Sequence, residues 1–221
     1  IRNIAYRAAD IFLREYEIKT GIMIRLIKNI PVGGGLGGGS SDAASTLKLM
    51  RTLLKPDLPH SELLRLGKKL GMDVPFFLKG GTACARARGD ELEYFDLPTI
   101  RFVVHYPGFP ISTRWAYENI ALNLTKEENW IKIVKSSLET QNIGELKKYL
   151  INDFERLVFK IHPELEIIKE KFLELGAKVA LLSGSGSCVY AIVDVDSEIK
   201  ISNFLNSVQK VFFVAETVKP D

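Results

Sequence analysis

Residues Pro31–Ala44 read PVGGGLGGGSSDAA: two glycine triplets flank Leu36 and pass directly into good helix formers. Fixing so many glycines costs a chain heavily in backbone entropy. Something must therefore approach this backbone more closely than side chains allow. The preceding stretch, IMIRLIKNI (Ile22–Ile30), is rich in β-branched residues and reads as a strand ending at Pro31. The following stretch, SSDAASTLKLMRTLL, reads as a helix with Ala44, Leu47 and Leu54 at helical spacing, and Ser40, Ser41 and Asp42 supply N-cap chemistry at its start. In a strand–glycine–helix setting, peptide N–H groups point at an anion and the helix macrodipole adds partial positive charge there. Backbone without side chains can close round a phosphate as a nest. The loop is not a Walker A sequence, because no Gly-Lys-Ser/Thr ends it, and it lacks the βαβ setting of a dinucleotide fingerprint. A flexible linker or a tight packing turn is the competing reading. Linkers are not flanked so closely by a strand and a capped helix.

The whole sequence, 221 residues with 46% apolar and 26% charged side chains, has the balance of a globular chain long enough for one or two cored domains. A net charge of +3, with basic residues scattered, argues against a nucleic-acid partner. No apolar run approaches the ~20 residues of a membrane span, so a membrane partner is not expected either. Cys84 and Cys188 lie far apart, with neither metal-ligand spacing nor a disulfide framework. That pattern points to a reduced, cytoplasmic setting. The first residue is Ile1 rather than Met, so a targeting segment stays open.

Along the chain, Asn3–Tyr16 reads as a helix with Ile4, Ala8, Ile11 and Phe12 on one face. Ser61 is the expected cap of a helix running to Leu70, and TACARARGDELEYF reads as two strands meeting at Gly89-Asp90. The pattern restarts near Leu97, which divides the chain into residues 1–96 and 97–221. Strand IRFVVHY leads into helices TRWAYENI, EENWIKIVKSSLE, IGELKKYLINDFERLV and PELEIIKEKFLELG, the last opened by Pro163 and stopped by Gly176. Strand KVALLS, loop GSGS, strand CVYAIVDV, helix SEIKISNFLNSVQK and strand VFFVAETV complete the order. This succession is the split βαβ of a ferredoxin-like domain with extra helices in its first crossover. The fold class expected is α+β.

PVGGGLGGGSSDAA closely resembles the ATP loop of the galactokinase–homoserine kinase–mevalonate kinase–phosphomevalonate kinase superfamily. The doubled triplet is similar to that of one branch, the 4-diphosphocytidyl-2-C-methyl-D-erythritol kinases. GMDVPFFLKGGTA, YPGFPISTRWAY, NDFE and LLSGSGSCVYAI resemble further motifs of that branch and arrive in its order. The resemblance covers essentially the whole chain. It implies a two-domain small-molecule kinase with a ribosomal-protein-S5-like N-terminal domain, incomplete here, and a ferredoxin-like C-terminal domain. It also implies transfer of phosphate from ATP, with Mg2+, to the 2-hydroxyl of 4-diphosphocytidyl-2-C-methyl-D-erythritol, held in a cleft between the domains. The partners implied are that small molecule and ATP; oligomeric state is left open.

The same resemblance assigns roles residue by residue. Asp73, beside Val74, Pro75, Phe76 and Phe77, matches the catalytic base and touches substrate; a turn aspartate is the plainer reading of the residue alone. ATP contacts fall on Asn3, Lys28, Pro31, Gly33, Gly34, Gly35, Leu36, Gly37, Gly38, Gly39, Ser40, Ser41 and Asp42, with Ser40 or Ser41 touching the metal. Asn3 also reads as a helix cap and Lys28 as a solvated strand end. Thr113 and Tyr117, one turn apart, match positions used for the cytidine diphosphate half of the substrate, and Thr113 also reads as an N-cap. Gly184, Ser185 and Gly186 match a turn that shapes the phosphate site. Similar enzymes place proline and threonine where Ser187 and Cys188 stand here. No metal-ligand cluster is expected, and His60, His105 and His162 read as structural.

Enzymes of this branch begin with a strand carrying Pro-x-Lys-x-Asn and then a Tyr-His pair, and neither occurs here. The expectation is that the sequence is a fragment lacking roughly a quarter of a natural domain pair, poorly soluble and nearly inactive by itself. The rival readings are another kinase of the superfamily and a nucleotide-binding protein without catalysis.

Overall fold

The computed structural model describes residues 3–86, 89, 91–120, 130–140 and 149–219. They form two compact units. One runs to Ile30 and resumes over Gly37–Asp96; the other comprises Pro31–Leu36 and Leu97–Val218.

The first unit is built on four helices. In α1 (Ile4–Glu15) the Asn3 side chain accepts a hydrogen bond from the Ala5 amide at 2.9 Å, and Ala5, Ala8, Ala9 and Phe12 form the buried face. Against it lie Ala43, Ala44, Leu47 and Met50 of α2 (Gly38–Leu54), Leu63, Leu66 and Leu70 of α3 (His60–Leu70), and Val74 and Leu78 of α4 (Val74–Lys79). A Cβ on Gly67 would stand 3.1 Å from Leu78 and 3.3 Å from Val74, so α3 and α4 close up where α3 has no side chain. Strands β1 (Thr82–Arg86) and β2 (Glu91–Phe95) pair antiparallel, with Thr82 opposite Phe95, as the sequence indicates.

Several expectations for this unit are corrected. Residues 18–29 form no ladder among the described residues, so IMIRLIKNI is not a paired strand. Its alternation survives without pairing: Ile22, Ile24 and Leu26 line a groove of about 280 Å3 against α1. Met23 and Ile27 are exposed. Helix α2 starts earlier than expected, at Gly38, and its N-cap is Gly37, not a serine or aspartate side chain. Helix α3 starts at His60 with Pro59 as N-cap, which leaves Ser61 inside the first turn. The segment after Asp73 is itself the short helix α4, because Pro75 fits a first turn that needs no N–H.

The second unit is a four-stranded antiparallel sheet of β3 (Arg101–Tyr106), β4 (Val179–Leu182), β5 (Val189–Val193) and β6 (Val211–Glu216), in the order β4-β5-β3-β6. That order is the ferredoxin-like one. Period-2 alternation sends Val103, Ala180, Leu182, Val189, Ala191 and Val193 to one face. There they meet α7 (Glu155–Ile161), α8 (Pro163–Glu174) and α9 (Val195–Ser207) through Val158, Leu165, Phe172, Ile201 and Leu205. Val179, Leu181, Ile192 and Ile100 form the core of the other face, with Val134 of α6 (Trp130–Glu139) packed on it. Two corrections apply here. In α5 (Thr113–Asn119) the cap is Ser112, whose hydroxyl accepts from the Trp115 amide, and Thr113 is the first helical residue. Within the helix expected over IGELKKYLINDFERLV, the described residues 149–154 are not helical and α7 begins at Glu155, because Asn152 turns the chain by accepting from the Phe154 amide; residues 143–148 of that stretch, like 127–129 ahead of α6, lie outside the described residues. Among the described residues no helix is long and apolar enough to cross a membrane.

Asp194 caps α9 in a reciprocal box with Ser197 and pairs with Lys178 at 3.1 Å. Hydrogen bonds from Ser197 and then Lys178 hold its carboxyl well below the usual carboxylate range. A depressed carboxylate stabilises fully above its unfolded value of about 3.9, and loses that contribution as pH falls towards the folded value. Removing such a cap costs about 1 kcal/mol. Asp194→Ala is expected to lower the melting temperature by about 2–4 °C at neutral pH, with the gap narrowing below about pH 4. Thermal melts across pH measure both.

Candidate functional site

The two glycine triplets do different work. In the first, φ is +74° at Gly33 and +76° at Gly35, a region that disfavours side chains. A Cβ on Gly33 would lie 2.5 Å from Pro110, on Gly34 2.7 Å from the Cys188 sulfur, and on Gly35 1.8 Å from the Ser183 carbonyl oxygen. What approaches Gly33, Gly34 and Gly35 so closely is the protein itself. Their carbonyls are occupied too. Gly33 accepts from the Ile111 amide at 3.0 Å and the Ser187 amide at 3.3 Å, Gly34 from the Cys188 amide at 3.1 Å, and Gly35 from the Ser183 hydroxyl at 3.0 Å. Residues Ser183–Ser187 thus form a turn laid against Pro31–Leu36. Within it the Gly186 amide donates to Ser183, and Gly184 and Gly186 have φ of +52° and +87°.

The second triplet opens α2. Gly37, at φ +66°, is the N-cap, and a Cβ there would meet the Phe77 ring at 2.6 Å. Beyond it the crowding stops: a Cβ on Gly38 would find nothing nearer than 3.7 Å, and on Gly39 nothing nearer than 3.8 Å. The helix has no side-chain cap and no acidic residue in its first turn. The Ser41 amide makes the first intrahelical bond, to Gly37, so the amides of Gly38, Gly39 and Ser40 have no carbonyl within the helix to reach. These N–H groups and the positive end of a 17-residue helix share one spot. It is suited to an anion.

Asp73 precedes α4 and is exposed. The cost that apolar neighbours would impose on a buried carboxylate does not arise. Helix α4 is held at the start of α2 by Phe77 against Gly37, with Phe76 and Phe77 edge to face at 5.1 Å. Lys28 is no free strand end: its ammonium pairs with the Asp42 carboxylate of α2. Asn3 serves as the α1 cap. Thr113 and Tyr117 share a face of α5; the Thr113 hydroxyl accepts from Ser185 at 3.1 Å, and the exposed Tyr117 ring stands edge-on to Phe154 at 5.0 Å. The turn with Gly184, Ser185 and Gly186 is therefore bonded both to Gly33–Gly35 and to Thr113. Trp115 packs on the core. Among the described residues no group of three or more His, Cys, Asp or Glu side chains is placed to hold a metal.

Asn152 and Glu155 were given no site role by the sequence. The Asn152 amide donates to the Leu182 carbonyl at 2.8 Å and to Gly184 at 2.7 Å, bracing the turn from behind. Glu155 accepts from the Leu182 amide at 2.9 Å and pairs with Lys169 at 2.6 Å. Contacts reaching so far along the chain leave no trace in local periodicity; the motif NDFE was the one available signal. Ser187 is buried and its hydroxyl donates to the Phe109 carbonyl. Burial pushes the Cys188 thiol up to about 12, which leaves it inert. Two of the three histidines are structural in setting: His105 is buried with Nδ1 2.9 Å from the Val211 carbonyl, and His162 stacks on Phe109 at 4.5 Å.

Residues 3–81 match the GHMP kinases N terminal domain and residues 134–212 the GHMP kinases C terminal domain. A 4-diphosphocytidyl-2-C-methyl-D-erythritol kinase of Clostridium botulinum is 35% identical over 96% of this chain and 76% of its own length. One from Syntrophus aciditrophicus is 42% identical over 90% of this chain and 70% of its own. A crystal structure of a 4-(cytidine 5'-diphospho)-2C-methyl-D-erythritol kinase superposes with a TM-score of 0.82 at 31% identity, covering 97% of this chain and 78% of that one. Homoserine kinase from Cytophaga hutchinsonii, at 17% identity and a TM-score of 0.78 over 99% of this chain and 76% of its own, shares the fold.

The two triplets should separate by mutation. Gly35→Ala meets the Ser183 carbonyl at an unfavourable φ and is expected to destabilise by about 2–5 kcal/mol. Gly38→Ala and Gly39→Ala meet neighbours only at ordinary van der Waals distance and remove chain freedom, so melting should hold or rise by about 0.4–1 kcal/mol equivalent. If an anion sits on these amides, the double variant should bind a nonhydrolysable ATP analogue about tenfold more weakly or worse. Calorimetry beside thermal melts distinguishes the cases, and undiminished binding by a stable double variant rules the anion reading out.

Proposed function

The chain belongs to the GHMP kinases, and we propose that it transfers the γ-phosphoryl group of ATP to the 2-hydroxyl of 4-diphosphocytidyl-2-C-methyl-D-erythritol, a step of isoprenoid biosynthesis. The uncapped, glycine-lined start of α2 carries the kinase part of this reading. Phosphoryl transfer asks a protein chiefly for positioning and charge stabilisation, and three convergent amides at a helix N-terminus supply both for the phosphates. The substrate part rests on the relatives bearing that name, at 35% and 42% identity. Residues 1–96 are the ATP-binding half in this account and 97–221 the ferredoxin-like half.

The hydroxyl oxygen attacks the γ-phosphorus in line, ADP departs, and the proton passes to the Asp73 carboxylate, which water and substrate can reach because it is exposed. Phe77 against Gly37 gives Asp73 a fixed station relative to the α2 amides. Lys28 and Asp42 neutralise one another, so the pair orders the approach to α2 without adding net charge. Mg2+ bound to the ATP phosphates would offset their charge; it needs few protein ligands, and the Ser40 or Ser41 hydroxyl fits that sparse demand. Thr113, steadied by Ser185, and Tyr117 are the residues assigned to the cytidine diphosphate moiety. A cytoplasmic setting accords with the free thiols of Cys84 and Cys188.

Asp73→Asn is expected to lower kcat about 10²–10⁴-fold while leaving affinity for the ATP analogue unchanged. Thr113→Val should raise KM for the cytidine diphosphate substrate by about tenfold, whereas Thr113→Ser, which keeps the hydroxyl, should not. A panel of 4-diphosphocytidyl-2-C-methyl-D-erythritol, methylerythritol phosphate, homoserine and mevalonate tests the assignment. Comparable turnover of homoserine or mevalonate would refute the substrate, and turnover of none would refute catalysis.

A further inference from the structure

The sheet of the second unit has two edges, and they are unlike. Strand β4, at one edge, is four residues long and buried at every position. Strand β6, at the other, is six residues long, pairs with β3 along its whole length and is exposed everywhere except Phe212. Its exposed residues before Glu216 are Val211, Phe213, Val214 and Ala215, all apolar. Sheets commonly blunt such an edge with a proline, a bulge or a lysine within the strand. Strand β6 has none of these.

The backbone of this edge has spare pairing capacity. The Thr217 amide donates to the Ile100 carbonyl at 3.0 Å. Antiparallel ladders alternate, so Ala215, Phe213 and Val211 also turn their peptide groups towards β3. Phe212, Val214 and Glu216 turn theirs outward, and among the described residues no hydrogen bond reaches them on that side. The charges along the edge are polarised. Lys210, exposed and immediately before β6, makes no ion pair among the described residues. At the far end Glu216 and Glu198 share the single guanidinium of Arg101, at 2.8 Å and 3.0 Å. Two carboxylates there answer to one cation.

We propose that the outer edge of β6 binds the same edge of a second copy of this chain, antiparallel about a two-fold axis. The two four-stranded sheets then continue into one. Two requirements point to the same register. Outward peptide groups must meet outward peptide groups, and the cationic end must meet the anionic end. Both are satisfied when Phe213 lies opposite the partner's Phe213. Phe212 then faces the partner's Val214, Val211 the partner's Ala215 and Lys210 the partner's Glu216, each pair occurring twice. Aromatic, apolar and opposite-charge pairs are the ones that stabilise neighbouring strands. A parallel, in-register addition would instead set like charges side by side at both ends, which costs stability. A single strand pair buries less than the roughly 1,200–2,000 Å2 of a standard interface, so a reversible dimer is expected rather than a permanent one. The inference does not depend on the substrate proposed above.

Sedimentation at about 1–100 µM protein should show a monomer–dimer equilibrium. The amides of Phe212, Val214 and Glu216 should gain hydrogen-exchange protection as the concentration rises. Val214→Lys places a charge on the edge at an exposed position, and should give a monomer with the parent melting temperature in dilute solution. Lys210→Glu and Glu216→Lys should each weaken association about tenfold. An equimolar mixture of those two variants is complementary at both ends and should dimerise again, which damage to folding would not produce. A monomer throughout the range overturns the proposal, as does a dimer indifferent to these substitutions. Protection of the three amides that is independent of concentration overturns it too, because another segment of the same chain then covers the edge.

Discussion

The constraint on which the rest depends is the contact between Gly33–Gly35 and the turn Ser183–Cys188. Backbone meets backbone there with no side chain on the glycine side, and every carbonyl of the triplet has a donor. Buried peptide groups need partners, and leaving one unsatisfied costs about 1–3 kcal/mol. The turn meets that demand and is itself braced by Asn152 and Glu155. Pro31–Leu36 is therefore fixed on the turn, while Gly37, at φ +66°, opens a helix that starts without a side-chain cap. The carbonyls of Gly33, Gly34 and Gly35 all have donors, whereas the amides of Gly38, Gly39 and Ser40 have no carbonyl within the helix to reach.

This layout separates rigidity from recognition. The first triplet cannot accept a methyl group anywhere, while the second tolerates one at two positions out of three as far as the protein alone is concerned. Phe77 connects the second triplet to Asp73 through a helix only six residues long. So short a helix has little stability of its own. It is kept by Val74, Pro75 and Leu78, which are buried among α2 and α3. The position proposed for the base is thus a by-product of core packing, not of any hydrogen bond to the carboxylate.

Much of this was legible in the sequence, for reasons that differ by element. The strands β4 and β5 were legible as short apolar runs bounded by glycine and serine, as in Val179–Leu182, which is buried at every position. Capping at Asn3 and the stop at Gly176 were legible because the chemistry is local. The start of α2 was misplaced by two residues because serine and aspartate are strong capping types, whereas Gly37 caps through backbone conformation, which composition does not display. IMIRLIKNI has the alternation of a strand, but a strand exists only with a partner, and pairing is a property of the ensemble of segments. The glycine run posed its question correctly and hid half of the answer. Nothing in PVGGGLGGGSS says that Ser183 and Cys188, far along the chain, press on its first half.

The sulfur of Cys188 and the missing side chain of Gly34 occupy one shared volume. These two positions form a single steric unit although most of the chain separates them. A change at either is felt at the other, so their substitution effects will not add. A larger residue at 188 needs the glycine to retreat, and any side chain at 34 needs the sulfur gone. The small residue at 188 therefore belongs to the geometry of the glycine run as much as the glycines do.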